Sequence, residues 1–410
     1  MARTEAGLPE GTRLTDFISL GALAGRFPLS TIHRILEESG CQSVRQRQLP
    51  AHVVVYYVIG LALYMQVSYG EVLRCLVEGL EWLGFPVQRL RKTGRSGISQ
   101  ARSRLGVEPM RRLYCETVEP IATPQTKGAW YRDWRIVSVD GSTLDVADTE
   151  ENDRAFGRPS GGRGRASFPK IRFVTLVENG THVLFSARVD AFKVGENTLA
   201  REVFAQLSKG MLCLADRGFF GFELWQQASS NGADLVWRAR EKQILPERER
   251  LQDGSYLSRI YRSDEDRKHD RQGIDVRVVE YRLDGAKDVT TLYRLVTTIL
   301  DPDAAPGEEL AALYHDRWEI EGAFDEFKTH LRGRQIVLRS KSPELVRQEF
   351  YGLMLAHFAI RSLMHEAALK ADVDPDTVSF THTVRVVRRK LPRYVSIPPS
   401  GAGVPPSGGA

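Results

Sequence analysis

The chain has 410 residues, too many for one comfortable hydrophobic core, so two or three domains are expected. Hydrophobic residues at 42% and charged residues at 27% exclude a largely disordered chain, and a formal charge of +5 permits nucleic-acid binding without demanding it. Cys41, Cys75, Cys115 and Cys213 lie far apart with no CxxC pair, which argues against a zinc site or a disulfide framework and marks them as buried thiols.

The opening MARTEAGLPEGTRLTDF has no apolar signal core. The longest apolar run, Val53 to Met65, falls short of the roughly 20 residues that span a bilayer. A cytoplasmic protein with no membrane partner is expected. From Leu14 to about Leu113 the pattern is helical, with Pro28, Gly40, Pro50, Gly70 and Pro86 separating segments of helix length. The run from Ala51 to Met65 is apolar on nearly every side, as a central buried helix would be.

A basic stretch follows, with Arg89, Arg91, Lys92, Arg95, Arg102, Arg104, Arg111 and Arg112 among serines and glycines. Within it GISQARSRLG is predicted as a short helix with Ser99 and Gln100 aimed at bases and Arg102 and Arg104 at phosphates. A solvated basic face explains the same residues equally well.

Past Lys127 the apolar period becomes two, and strands are predicted at 135–139, 170–177 and 182–191, then a helix at 196–207 and a strand at 211–215. Asp140 and Asp216 each close such a strand, with Gly141 and Gly218 close behind to allow a tight turn. Either carboxylate alone reads best as a cap for the next turn. Two together with a third on a helix are suited to a pair of Mg²⁺ ions, hard cations that take oxygen ligands. Between these strands, Asn152 to Lys170 is a long polar loop whose Arg154, Arg158, Arg163, Arg165 and Lys170 are placed to meet DNA phosphates or simply to form a flexible tip.

Another strand at 233–240 is followed by a charged stretch and then by strands at 256–262, 274–283 and 290–300, which suggest a β-rich insertion that leaves the sheet unbroken. One helix is predicted over Leu313 to Leu331, on which Tyr314, Arg317, Glu321 and Lys328 share a face within about 60° at 100° per residue. Glu319 and Glu326 point elsewhere by about 120° or more, whereas Asp325 competes with Glu321. Pro343 to about Leu369 reads as a long apolar helix. Arg385, Arg388, Arg389, Lys390 and Arg393 form a second basic patch, and the tail from Pro398 is of low complexity.

The segment YHDRWEIEGAFDEFK resembles, spacing for spacing, the signature of bacterial DDE transposases of the insertion-sequence-4 type; VDGSTLD and LADRGFFG resemble that family's two aspartate regions, and GISQARSRL resembles the stretch before them. The resemblance runs from about Thr12 to Leu369. It implies a ribonuclease H-like core, a mixed five-stranded sheet flanked by helices, interrupted by a β-rich insertion and preceded by an all-helical domain. The implied division is 1–125 helical and DNA-binding, 126–240 and 305–371 core, 241–304 insertion, and 372–410 basic segment and disordered tail.

By position Asp140, Asp216 and Glu321 would be the catalytic metal ligands, holding two Mg²⁺ for which Mn²⁺ can substitute. Tyr314, Arg317 and Lys328 would hold DNA phosphates, Trp318 would stack on a flipped base, and Arg95, Arg102, Arg104, Arg163 and Arg165 are further DNA-binding candidates. The implied partners are double-stranded DNA, as terminal inverted repeats and target, and a second copy of the chain on that DNA. The strand TTLYRLVTTIL lacks a tryptophan, which leaves a hairpin route of second-strand cleavage unsupported. A DNA-binding relative that no longer cuts, or a ribonuclease H-like nuclease without strand transfer, are the alternatives.

Overall fold

A computed structural model of the chain describes residues 20–43, 49–82, 94–161, 164–282, 292–315, 317, 319–333 and 337–389. Its first layer is the expected helical one: α1 (Leu20–Arg26), α2 (Leu29–Glu38), α3 (Ala51–Leu63), α4 (Tyr69–Trp82), α5 (Arg95–Leu105) and α6 (Glu108–Thr117). Every residue of α3 from Val53 to Leu63 is buried. A helix apolar all round needs neighbours all round; α2, α4 and α5 supply some, and the long helix α13 (Pro343–Ala371) supplies the most. Where α13 meets α3 there is no room for a side chain. A Cβ on Gly352 would lie 2.8 Å from both Val58 Cγ1 and the Val58 carbonyl oxygen. Among the described residues no helix is long and apolar enough to cross a membrane.

The period-two segments form a mixed ten-stranded sheet. Its strands are β1 (Trp130–Tyr131), β2 (Trp134–Asp145), β5 (Lys170–Glu178), β6 (Val183–Ala191), β7 (Met211–Ala215), β8 (Asp234–Arg238), β9 (Glu249–Arg250), β10 (Tyr256–Ile260), β11 (Ile274–Tyr281) and β12 (Tyr293–Thr297). They run in the order β6-β5-β2-β7-β8-β12-β11-β10-β9, with β1 beside β2. β2, β7 and β8 are parallel, and β12 joins β8 antiparallel. The insertion thus continues the sheet, as predicted. Helices α7 (Glu150–Phe156), α8 (Glu196–Val203), α9 (Phe222–Ser229), α10 (Asp264–Lys268), α11 (Gly307–His315), α12 (Glu319–Asp325) and α14 (Phe380–Arg389) complete the chain, with β3 (Ser160–Gly161) and β4 (Gly164–Arg165) as a separate small hairpin.

Several expectations need correction. β2 does not end before Asp140: it stays paired with β5 from Asp140↔Thr175 to Asp145↔Lys170 after β7 has left. The Gly-Ser-Thr run that reads locally as a turn is held extended by a partner distant in sequence. The predicted single helix over 313–331 is divided among α11, α12 and a π-helical turn at Glu326–Leu331. The polar loop at 152–170 holds α7 and the small hairpin. There Asn152 is buried and donates to the carbonyls of Ala147 and Ser340. Cys75 and Cys213 are buried thiols, but Cys41 is half-buried and Cys115 exposed.

The π-helical turn is held against α13 by a buried ionic group. Arg361, 1% exposed, donates to the Thr181 carbonyl, to Glu326 Oε1 at 3.3 Å and to Asp376 Oδ1 at 3.1 Å. Glu326 also meets His182 Nδ1 at 3.3 Å and His357 Nε2 at 3.6 Å. Burial alone would raise the Glu326 pKa, but hydrogen bonds from the two histidines and the Arg361 charge hold it well below the usual carboxylate range.

The close crossing of α3 and α13 sets an expectation for stability. Gly352→Ala should cost about 1–3 kcal/mol by forcing the two helices apart. Gly25→Ala, with nothing within 4 Å of its new Cβ, should be neutral or slightly stabilising. Urea-unfolding midpoints of the two variants against the unaltered chain check this.

Candidate active site

Parallel pairing of β2 with β7 ends at Val139↔Ala215, so Asp140 and Asp216 are the next residues on neighbouring strands, which lie about 4.8 Å apart. Asp140 Oδ1 accepts the Gly141 N–H at 2.7 Å, and Asp216 Oδ1 accepts the Gly218 N–H at 2.8 Å. Burial pushes the Asp140 carboxyl up to about 6; the negative charges of Asp216 and Glu196 add to that, against the Gly141 hydrogen bond and the Arg317 charge. Two half-buried carboxylates side by side repel one another, and the cost is relieved by a proton or a cation.

Glu196, the first residue of α8, has no place in the sequence-based site. A Cβ on Gly141 would stand 2.8 Å from Glu196 Cγ and Cδ, so the missing side chain at 141 is what lets this carboxylate settle beside Asp140. Gly141 thus makes room within an extended strand, and the tight turn expected there does not exist. The one available signal was an acid at the start of a helix that follows a strand of the same sheet.

The face predicted at 313–331 survives the division of its helix in part. Tyr314 is buried and donates its hydroxyl to the Ala215 carbonyl at 3.2 Å, bracing the strand end that precedes Asp216; burial pushes its pKa up to about 12. The Arg317 guanidinium lies 5.8 Å from the centre of the Tyr314 ring. Glu321 is exposed at the start of α12. Lys328 Nζ donates to Ser142 Oγ at 2.9 Å, two residues along β2 from Asp140. Burial, joined by the Arg332 charge, lowers the Lys328 pKa, while Asp140, Asp325 and Glu321 oppose that, so this ammonium sees acids of both the strand and the helix. Asp325, the competitor, is exposed and 3.1 Å from His330 Nε2. Trp318 lies outside the described residues.

Glu319 and Glu326 do point away from this face, as predicted. His182, Glu319 and Asp376 each bring one ligand atom to within 4.8 Å of the others, a group able to hold one metal ion. No sequence spacing announces it, because its members come from a hairpin turn, a helix start and a C-terminal turn.

The basic candidates divide. On α5, Arg95, Ser99, Gln100 and Arg104 are exposed. Arg102, by contrast, is 2% exposed and donates to Gln348 Oε1 at 2.8 Å, Ser340 Oγ at 2.9 Å and the Leu345 carbonyl at 3.1 Å. Its donors are spent on α13 and its approach, which removes it from the surface expected to touch phosphate. Arg158 pairs with Asp148 and Asp153, and Lys170 with Asp145. Arg163 lies outside the described residues, and the backbone of Arg165 falls in β4.

Two family models match the chain: the insertion element 4 transposase N-terminal model over residues 17–115 and the transposase DDE domain model over 132–359. The transposase InsG for insertion sequence element IS4 of Escherichia coli (strain K12) is 31% identical over 366 residues, 88% of this chain and 80% of that protein. The putative transposase InsZ of the same strain is 24% identical over 216 residues, 52% of this chain and 69% of that one. A cryo-EM structure of a piggyBac transposase synaptic complex with hairpin DNA overlays 92% of this chain on 81% of that one at 10% identity, with a TM-score of 0.48.

The charges around Asp140 predict how it titrates in metal-free protein. Asp216→Asn and Glu196→Gln should each move its midpoint below about 6, and Arg317→Gln should move it higher. Carboxyl carbon chemical shifts followed against pH measure this directly; midpoints unmoved by all three changes would show that these charges do not share a site.

Proposed function

The chain belongs to the insertion element 4 type of DDE transposases and carries their DDE catalytic domain, and from that premise we propose that it is a cut-and-paste DNA transposase. It hydrolyses a phosphodiester at each transposon end and joins the freed 3′ hydroxyl to target DNA. One observation supports this reading most: Asp140 and Asp216 leave neighbouring parallel strands together, and the helical segment of Glu321 places Lys328 over the same strand.

Asp140, Asp216 and Glu321 are the residues that would hold two Mg²⁺ ions, with Mn²⁺ able to substitute. An all-oxygen donor set suits such hard cations, and burial, joined by the negative charges of Asp216 and Glu196, raises the Asp140 carboxyl, a cost that a bound cation would offset. When bound, the ions supply Lewis acidity at the scissile phosphate. The chain's own residues position and neutralise. Arg317 offers a guanidinium fork and Lys328 a compact ammonium to phosphates of the transposon end. Tyr314 serves the same end by fixing the backbone before Asp216. Catalysis of this kind is mostly alignment and charge stabilisation.

The helical layer, residues 1–125 in the proposed division, reads the terminal inverted repeats, with Arg95, Ser99, Gln100 and Arg104 of α5 as its exposed contacts. The core at 126–240 and 305–371 acts on the end thus presented, and a second copy of the chain joins it on DNA, in the cytoplasm.

On DNA carrying the element's ends with Mg²⁺, Asp140→Ala, Asp216→Ala and Glu321→Gln should each lower end cleavage by roughly a thousandfold or more while keeping the band shift. Asp325→Asn should still cut. Cleavage surviving in Asp140→Ala would overturn the assignment, binding without nicking by the unaltered chain would mark a silent relative, and a denaturing gel reports any hairpin ends. Separately, Arg104→Ala should weaken DNA binding and reduce its salt slope by about one. Arg102→Ala should instead lower the unfolding midpoint, because it removes a buried cation's three internal bonds.

A further inference from the structure

Beyond the acids at Asp140, Asp216 and Glu321, we propose that His182, Glu319 and Asp376 form a second metal site, for a single borderline divalent ion of the zinc type, which fastens the helix carrying Glu321 to the rest of the core. The three donors converge from separate places. His182 sits in the turn between β5 and β6, Glu319 is the first residue of α12, and Asp376 lies in the 3-10 turn Pro375–Thr377 after α13. His182 Nε2 stands 3.3 Å from Asp376 Oδ1 and 4.0 Å from Glu319 Oε2. An ion with bonds of about 2.0–2.1 Å in tetrahedral geometry places its ligands about 3.3 Å apart, so a small inward shift of Glu319, whose Oε2 also accepts the Gly180 N–H at 2.6 Å, sets three protein donors in place and leaves the fourth position to water.

The histidine is set up as a ligand. It is 7% exposed, and Nε2, the nitrogen aimed into the cluster, faces Asp376 Oδ1 at 3.3 Å without a well-aligned hydrogen bond. Its other nitrogen, Nδ1, faces Glu326 Oε1 at 3.3 Å. A carboxylate on Nδ1–H fixes the tautomer that turns the Nε2 lone pair outward, the arrangement that orients metal-ligating imidazoles. Glu319, Glu326 and Asp376 gather around His182; although burial opposes it, hydrogen bonds to Asp376 and Glu326 push the imidazole pKa up to about 9, and an ion at this point would take the place of that proton. One imidazole and two carboxylates favour a zinc-like ion over Mg²⁺, which prefers oxygen alone.

This group is separate from the acid trio. The Asn179 N–H bonds the Ile136 carbonyl at 3.1 Å, so the turn lies by Ile136, four residues before Asp140 on β2 and about 13 Å away at 3.3 Å per residue. Glu319 and Glu321 are two residues apart on a helix and so face opposite ways. An ion on Glu319 would fix the start of α12 without entering the site that Glu321 faces.

The test reads metal content and does not depend on whether the chain cuts DNA. The full chain is stripped with a chelator, dialysed against limiting Zn²⁺ in excess Mg²⁺, and its bound zinc is counted by mass spectrometry; Co²⁺ in place of Zn²⁺ gives a visible spectrum of the ligand set. One zinc per chain is expected, kept in the Asp140→Ala/Asp216→Ala double variant and lost in His182→Gln. Glu326→Gln should weaken zinc binding about 10–100-fold. If His182→Gln does not fold, as judged by circular dichroism, Asp376→Asn takes its place in the same comparison. Absence of stoichiometric zinc in the unaltered chain, or zinc lost with the double variant and kept in His182→Gln, overturns the proposal.

Discussion

A guanidinium keeps its proton everywhere in a protein and costs several kcal/mol to bury without partners. Arg361, near the middle of the longest helix and almost fully enclosed, therefore dictates what gathers around it. Its donors reach the turn between β5 and β6, the π-helical turn after α12 and the 3-10 turn after α13. Three segments distant in sequence are pulled to one point, and the helical segment bearing Glu321 and Lys328 is located from behind by charge. Its front is then left polar and open towards β2, which is where the acids of the strands emerge.

Strand β2 decides where that is. It loses its parallel partner after Val139 and keeps its antiparallel partner to Asp145. The carboxylate at 140 thus appears where one side of the strand is suddenly unpaired while the backbone stays rigid. The same sheet continues outward through the inserted strands and returns the chain through α11, whose Tyr314 ties back to Ala215. An insertion that extends the sheet can be long without loosening the residues on either side of it, since its ends leave from and return to fixed edges.

Much of this was legible because it is local. Strands at 135–139, 170–177 and 211–215 follow from an apolar period of two, and the buried α3 follows from a run with no polar side. What was missed depends on partners far along the chain. Asp-Gly-Ser-Thr at 140–143 reads as a turn until β5 pairs with it, and Glu196 joins the site only because residue 141 has no side chain. Arg102 was readable after all: it lies on the same stripe of α5 as the buried Ile98, Ala101 and Leu105, four residues after the first and three before the last. Taking it for a phosphate contact weighed its charge above its spacing. The division of the 313–331 segment and its π-helical turn had no counterpart in residue periodicity, because the ionic group that holds Glu326 lies across the fold.

The bare glycine at the crossing of α3 and α13 has one further consequence. With two backbones in contact there, the helical layer cannot swivel on the catalytic core as a tethered module would. On the proposed role of α5 in gripping double helix, this crossing would set the distance from that grip to Asp140. On that proposal the chain is a ruler, and the offset between the sequence it recognises and the bond it cuts would follow from how closely two helices touch.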